Sequence, residues 1–314
     1  MSRTRLAPSP TGALHLGNAR TFLVNWALAR QQGWKIVLRI EDLDGPRVKE
    51  GAAQQAIDDL QWLGLDWDEG PLYQLAVHTP YEQALEQLAQ AGHIYPCRCT
   101  RKQIEAAALS APHGSSHETR YPGTCRPAEP TPTSWLANQS EGTAWRLRVE
   151  PGDTQFEDAF AGTQVASVEQ SVGDFLVATK VGLPAYQLAV VVDDSRQGID
   201  EVVRGDDLLR STHRQLLVQR LLEIDNTPRY THLPLVVGED GRRLAKRHGD
   251  TRLDYYREAG VSPERVVGLL AKWCGVGEQQ EMIAAEFADC FRLQSLPRES
   301  AVFRATDDEY LRDC

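Results

Sequence analysis

A parallel-sheet α/β fold is predicted by three features of the chain: apolar strands alternate with amphipathic helices over residues 1–94, the connections are short, and the first strand passes through a Pro/Gly-punctuated loop straight into a helix. The loop is Arg5-Leu6-Ala7-Pro8-Ser9-Pro10-Thr11-Gly12, followed by His15-Leu16-Gly17-Asn18-Ala19-Arg20. Beyond it Ala19, Phe22, Leu23, Trp26 and Ala27 recur at helical spacing, and Trp34 to Ile40 is a short apolar strand, which completes a βαβ unit. That strand ends at Glu41-Asp42-Leu43-Asp44. A second helix presents Ala53, Ala56, Ile57, Leu60 and Leu63 on one face and stops at Gly64. Tyr81 to Ala91 supplies a third, with Leu85 and Leu88 inward and Gly92 at the C-cap position.

From about Tyr95 the character changes. Three cysteines, a Pro/Ser/Thr/Gly-rich stretch from Ser110 to Ser134, and strands around Ala144 to Val149 and Gln155 to Phe160 read as an insertion. The parallel pattern resumes with the continuous apolar run Leu188 to Val192, expected to be a buried strand, and with a strand at Ile199 to Val203. A helix over Leu208 to Leu222 and a strand over Thr231 to Val237 lead to a basic loop, Gly241 to Gly249. Val266, Leu269, Leu270 and Trp273 then repeat at helical spacing, as do the residues around Met282 to Phe287. The expected division is residues 1–94 and 181–240 as the two halves of a nucleotide-binding domain, 95–180 as the insertion, and 241–314 as the basic loop and a C-terminal helical segment.

The formal net charge of −10 excludes a general electrostatic attraction to nucleic acid, although Cys97 to Arg126 and Arg242 to Arg257 are locally basic. The stretch from Glu278 to Asp313 is acidic and a poor RNA surface. No apolar run approaches the roughly 18 residues that span a bilayer, and the start lacks a secretory pattern, so a cytoplasmic protein with no membrane partner is expected. In a reducing compartment the clustered Cys97, Cys99 and Cys125 ask for a metal. The scattered Cys274, Cys290 and Cys314 read as free thiols, two of them buried in helices.

A strand that ends in such a loop and opens into a helix presents backbone N–H groups and a positive dipole end, which suits phosphate, and His15 adds a side-chain donor. A split nucleotide-binding fold with this site near its start and a basic loop late in the chain resembles the class I aminoacyl-tRNA synthetases. His15-Leu16-Gly17-Asn18 is similar to their first signature, with Asn18 in place of its second histidine. Arg243-Leu244-Ala245-Lys246-Arg247 is similar to the second, with Ala245 where serine is usual. The resemblance implies a Rossmann-like parallel sheet with a zinc-binding insertion. It also implies ATP as substrate, held by His15, Gly17, Asn18 and Lys246 with magnesium entering on the nucleotide, and catalytic roles for His15 and Lys246 in neutralising charge on the phosphates.

Within the class, the first loop, Arg39-Ile40-Glu41-Asp42-Leu43-Asp44, Val192-Asp193-Asp194 and Val203-Arg204-Gly205-Asp206-Asp207 together resemble the glutamyl-tRNA synthetases over nearly the whole chain. Glutamate carries two carboxylates and an ammonium, so its site needs guanidinium groups and an acid. Arg5, Arg204 and Glu41 supply that set, and the resemblance adds Ser9 and Tyr186. After Asp194 the chain departs from the family pattern: Ser195 and Asp200-Glu201 stand where histidines are common, and no role is assigned there.

Three thiolates need one more ligand for tetrahedral zinc. Ligand chemistry nominates His113 or His117. The resemblance to a short paralogue of the glutamyl-tRNA synthetases, in which Cys-x-Cys and Tyr-x-Gly-x-Cys hold zinc, implies Cys97, Cys99, Tyr121 and Cys125. His117 stays as the alternative. The 314-residue chain ends too soon after Lys246 to hold the anticodon-reading helical domain of the longer members. That implies the activity of the short paralogue: glutamate activated with ATP and transferred to the queuosine base of tRNA(Asp), by a protein acting as a monomer. A truncated enzyme charging a tRNA 3′ end and a non-catalytic RNA-binding module are the alternatives.

Overall fold

The structure, a computed structural model, describes residues 1–109, 120–242, 244 and 250–313. His113, His117, Arg243, Ala245, Lys246, Arg247 and Cys314 lie outside the described residues.

Strand β1 (Arg3–Leu6), helix α1 (Leu16–Gln32) and strand β2 (Lys35–Ile40) form the expected βαβ unit, with β1 parallel to β2 in the register Thr4 to Ile36. Gly33 ends α1 at a φ of +66°, a left-handed conformation that glycine adopts without steric cost. Helix α2 (Ala52–Trp62), strand β3 (Glu69–Tyr73) and helix α3 (Thr79–Gln90) follow, with β3 parallel to β2. Sequence reasoning passed over β3 because it lies at the sheet edge and its residues are exposed or half-buried, which leaves no apolar alternation to read.

The region read as one insertion divides its strands between two sheets. Strand β4 (Ile94–Cys97), helix α4 (Arg101–Leu109) and strand β5 (Ala144–Leu147) come first, then strand β6 (Asp153–Asp158), strand β7 (Gly162–Ser167), the short helix α5 (Val168–Ser171) and strand β8 (Phe175–Ala178). Strands β4, β5 and β8 make an antiparallel sheet of their own. Strand β6 instead joins the second half of the main sheet.

That half begins with helix α6 (Tyr186–Arg196), which corrects the expected strand at Leu188 to Val192. The helix packs against α3, β8 and the helix that follows it, so its valines are buried on every side. All-round burial erases the helical period and leaves a run that a buried strand would also show. Strand β9 (Glu201–Gly205), helix α7 (Leu209–Leu221) and strand β10 (Arg229–Leu233) follow, and the sheet order is β7-β6-β10-β9. The strand expected to run on to Val237 is broken at Pro234, which has no N–H for a ladder. Strand β11 (Val236–Val237) is a separate element. The chain closes with helices α8 (Leu253–Glu258), α9 (Pro263–Trp273) and α10 (Ala284–Cys290), strand β12 (Ala301–Val302), which pairs with β11, and helix α11 (Ala305–Arg312).

The β3-β2-β1 and β9-β10-β6-β7 sheets meet along β1 and β9, where Asp200 N donates to Arg3 O at 3.1 Å and Arg5 Nη1 to Val203 O at 3.2 Å. One apolar core lies under α1, the first sheet and the C-terminal helices, and holds Leu23, Leu60, Phe287 and Phe291 at 1% exposure or less. Each such side chain contributes roughly 1.5–3 kcal/mol. A second core around Trp145, Leu188 and Val218 ties the antiparallel sheet to α3, α6 and α7. Of the scattered thiols, Cys274 is buried just past α9, Cys290 at the end of α10 is exposed, and Cys314 is outside the described residues. Among the described residues no helix is long and apolar enough to cross a membrane.

Candidate active site

Open parallel sheets bind ligands in the crevice where neighbouring strands lead their connections apart, beyond the strands' carboxyl ends. Here that crevice lies past the ends of β1, β2 and β9, as a cleft of about 700 Å³. Arg5, Ser9, His15, Gly17, Asn18, Glu41, Tyr186 and Arg204 all line it, so every described site residue expected for amino acid and nucleotide opens on one space. Ser9 is exposed, and Tyr186, 39% exposed, opens α6.

Glu41 and Arg5 are positioned by two residues to which the sequence reading gave no role. Arg39 is fully buried inside β2 and donates from Nη2 to Glu41 Oε1 at 3.0 Å and from Nη1 to Asp194 Oδ1 at 2.7 Å. Asp194 also faces Arg5 Nε at 3.7 Å. Burial would lower the proton affinity of Arg39, but Asp194 and Glu41 more than reverse this, and its charge is secure. Burial pushes the Glu41 carboxyl above the usual carboxylate range, with Arg39 and Arg5 pulling it part of the way back. A ligand ammonium beside Glu41 would restore its charge. The signal that reveals Arg39 and Asp194 is an ionic residue inside an otherwise apolar stretch, since a buried charge needs a partner.

Arg204, the residue before the last in β9, is 5% exposed, and its Nη2 donates to Thr212 Oγ1 at 2.8 Å and Gln215 Oε1 at 2.7 Å. Among the described residues no carboxylate lies within ion-pair distance of it. Among the charged residues that line the cleft, the buried Arg5 and Arg204 with Glu41 form a charge pattern complementary to an amino acid with a second acid group, while Asp44, Arg47 and Asp207 line it as well.

The first signature departs from expectation. The opening N–H groups of α1 are not free for phosphate: Leu16 N donates to Thr251 O at 2.9 Å, and Gly17 N and Asn18 N donate to His15 Nδ1 at 3.1 and 3.3 Å. His15 is the N-cap, and Asn18 Oδ1 returns the bond to His15 N at 3.3 Å. A neutral imidazole that accepts at Nδ1 carries its proton on Nε2, so the histidine replaces the amides as the donor here. A Cβ on Gly17 would stand 3.0 Å from His15 Cε1, which explains the glycine by the space the capping ring takes.

The flanks of the basic loop return to the cleft, and the downstream one to this signature. Leu244, buried, donates to Val236 O at 3.4 Å, and Val236 lines the cleft. Past the loop, Leu253 N donates to Leu14 O at 2.9 Å, beside a bridge between His15 and Arg252. The segment that follows the basic loop, Thr251 to Leu253, is thus tied to the first signature by main chain.

In the antiparallel sheet region, the Cys97, Cys99 and Cys125 sulfurs lie within 4.8 Å of one another. Tyr121 Oη is 3.5 Å from Cys97 Sγ and 3.8 Å from Cys99 Sγ, and accepts the Cys125 N–H at 2.9 Å. Arg146 stacks its guanidinium 3.8 Å from the centre of the Tyr121 ring and donates to Cys97 Sγ at 3.3 Å, which stabilises anionic donors. Burial raises the Cys125 thiol, but the Arg98 main chain and bonds from Tyr121 and the other two cysteines outweigh it and hold the group at about 7. This donor set can hold zinc.

The family model for tRNA synthetases class I (E and Q), catalytic domain, matches residues 1–313. A Rhodopirellula baltica protein named glutamyl-Q tRNA(Asp) synthetase is 47% identical over 296 residues, 90% of this chain and 88% of that one. A Symbiobacterium thermophilum protein of the same name is 47% identical over 308 residues, 94% of each chain. A longer Syntrophus aciditrophicus protein named glutamate–tRNA ligase 2 is 39% identical over 311 residues, 96% of this chain but 63% of its own length. The crystal structure of a glutamate tRNA ligase from Elizabethkingia meningosepticum matches with a TM-score of 0.81 at 23% identity, over 99% of this chain and 68% of that one, a likeness of fold.

Proposed function

Because the chain belongs to the family of class I (E and Q) tRNA synthetase catalytic domains, we propose that it activates L-glutamate with ATP in the absence of tRNA and transfers the glutamyl group to the queuosine base at the wobble position of tRNA(Asp). The observation that carries this reading is the common cleft of Arg5, Glu41, Arg204 and His15. Arg5 and Arg204 meet the carboxylates of the amino acid, Glu41 its ammonium, and Ser9 and Tyr186 line the same site. The α-carboxylate attacks the α-phosphorus of ATP, pyrophosphate leaves, and a hydroxyl of the queuosine ring then attacks the acyl carbon of the adenylate as AMP departs. The Nε2–H of His15, together with Lys246, stabilises charge on the phosphates, with magnesium arriving on the nucleotide, while Gly17 and Asn18 shape that end of the cleft.

Support for the acceptor comes from the relatives' names: the two proteins named glutamyl-Q tRNA(Asp) synthetase are 47% identical to this chain, and the glutamate–tRNA ligase is 39% identical. Within residues 95–180, the part built on the antiparallel sheet β4-β5-β8 is held by zinc on Cys97, Cys99, Tyr121 and Cys125, and the protein works as a monomer. The metal is structural, fixing the end of β4 to the turn at Cys125.

Mass spectrometry of tRNA(Asp) nucleosides after incubation with protein, ATP and glutamate tests the proposal. Glutamylated queuosine is expected. Equal charging of unmodified tRNA(Glu) at its 3′ end would overturn it.

A further inference from the structure

Building on the glutamate-site reading of Arg204, we propose that His232 and Asp158, neither of which reaches the cleft, are positioning residues that fix the direction of the Arg204 guanidinium and so set the affinity for a substrate carboxylate. Arg204 Nε donates to His232 Nε2 at 3.0 Å, and Thr212 Oγ1 lies 3.3 Å from the same nitrogen. A nitrogen that accepts from arginine carries no proton of its own. The ring proton of His232 therefore sits on Nδ1, which lies 2.6 Å from Asp158 Oδ2. Asp158 is held in turn: its Oδ1 accepts the N–H groups of Phe160 at 3.0 Å, Ala161 at 2.8 Å and His232 at 3.2 Å.

The arrangement solves a specific problem. A carboxylate placed directly on Arg204 would hold it firmly but would satisfy the charge meant for the ligand. An unassisted neutral acceptor would leave the ring free to choose either tautomer. Asp158 fixes the tautomer from one step away, and the neutral ring of His232, with Thr212 and Gln215, orients the guanidinium without an ion pair. Asp158 and His232 meet because β6 pairs with β10, Tyr230 standing opposite Asp158. The positively charged end of β9 is thus tuned by a strand that lies outside the nucleotide-binding pattern in the sequence.

Asp158→Asn tests this with little change of shape. The amide oxygen keeps the three main-chain N–H groups. Its NH₂ then faces Nδ1, drives the ring proton to Nε2 and turns it against Arg204. Expected are a change in the histidine ¹⁵N spectrum from an Nδ1–H to an Nε2–H ring, and a rise of about tenfold or more in KM for glutamate in pyrophosphate exchange, with KM for ATP moving less than about twofold. His232→Gln, which can accept from Arg204 and donate to Asp158, recovers most of the affinity that His232→Leu loses. An unchanged tautomer, or glutamate and ATP constants that move together, overturns the proposal. If the wild-type protein binds no glutamate by calorimetry, the reading of the site itself fails; if it binds and Asp158→Asn binds as well, only this inference fails.

Discussion

Arg39 Nη1 and Asp194 Oδ1 are 2.7 Å apart, joining β2 to α6 beneath the floor of the cleft. Asp194 is also the anion nearest Arg5, at 3.7 Å, so one buried carboxylate holds two arginines whose charges would otherwise repel. Asp194→Asn leaves both guanidiniums short of charge compensation. The expected loss is about 3–5 kcal/mol, read by urea denaturation, with glutamate binding falling as Arg5 moves.

Glu41→Gln keeps the shape of the amino-acid site and removes the charge expected to meet the ammonium. KM for glutamate should rise by about tenfold or more while KM for ATP holds, since the Arg39 bond to Oε1 survives in the amide. Exchange kinetics that leave glutamate unaffected would remove Glu41 from the site.

Lys246→Ala should abolish glutamate-dependent pyrophosphate exchange while leaving the melting temperature within a few degrees. Near-normal exchange would refute its assigned role on the phosphates.

Asp59 on α2 is fully buried, faces Arg257 of α8 at 3.0 Å, and accepts no hydrogen bond at either oxygen. Burial pushes its carboxyl up to about 6, with Arg257 opposing. The folded state therefore binds this proton more tightly than the unfolded chain. Its contribution to stability is present below about pH 4 and is lost as pH rises through about 6, in total roughly 3 kcal/mol. Unfolding titrations of wild type and Asp59→Asn across this window should differ in slope, and parallel curves would exclude the assignment.

One zinc per chain should be found by elemental analysis, and it should leave with a strong chelator as the antiparallel sheet loosens and the melting temperature drops. Tyr121→Phe keeps the ring under Arg146 but removes the oxygen close to Cys97 and Cys99. Zinc retention should fall in this variant and persist in His117→Ala; the reverse result would make the histidine the fourth ligand.

The legible parts of the fold were those with a face. Helices α2 and α3 bury one side, and their apolar spacing is plain; α6 is buried all round, and its run of valines read as a strand. Pro234 ended a strand that hydropathy alone would extend. The site was legible through residue chemistry: Arg5, Glu41 and Arg204 have the charges that a dicarboxylic amino acid requires. The role of Arg39 is not legible in the same way, because its work is done on Glu41 and Asp194 and not on a ligand.

By itself the sequence determined the alternation that builds a parallel sheet, the ionic residues at its strand ends, and the sulfur cluster at Cys97, Cys99 and Cys125, since each depends on local spacing and side-chain chemistry. Tertiary structure alone decided that His15 caps α1 with its own ring, that β6 brings Asp158 to His232, and that one carboxylate serves both Arg39 and Arg5. The last two join segments far apart in the chain, and even the local cap on α1 is a hydrogen bond, which depends on distance and direction in space that no spacing along the sequence fixes.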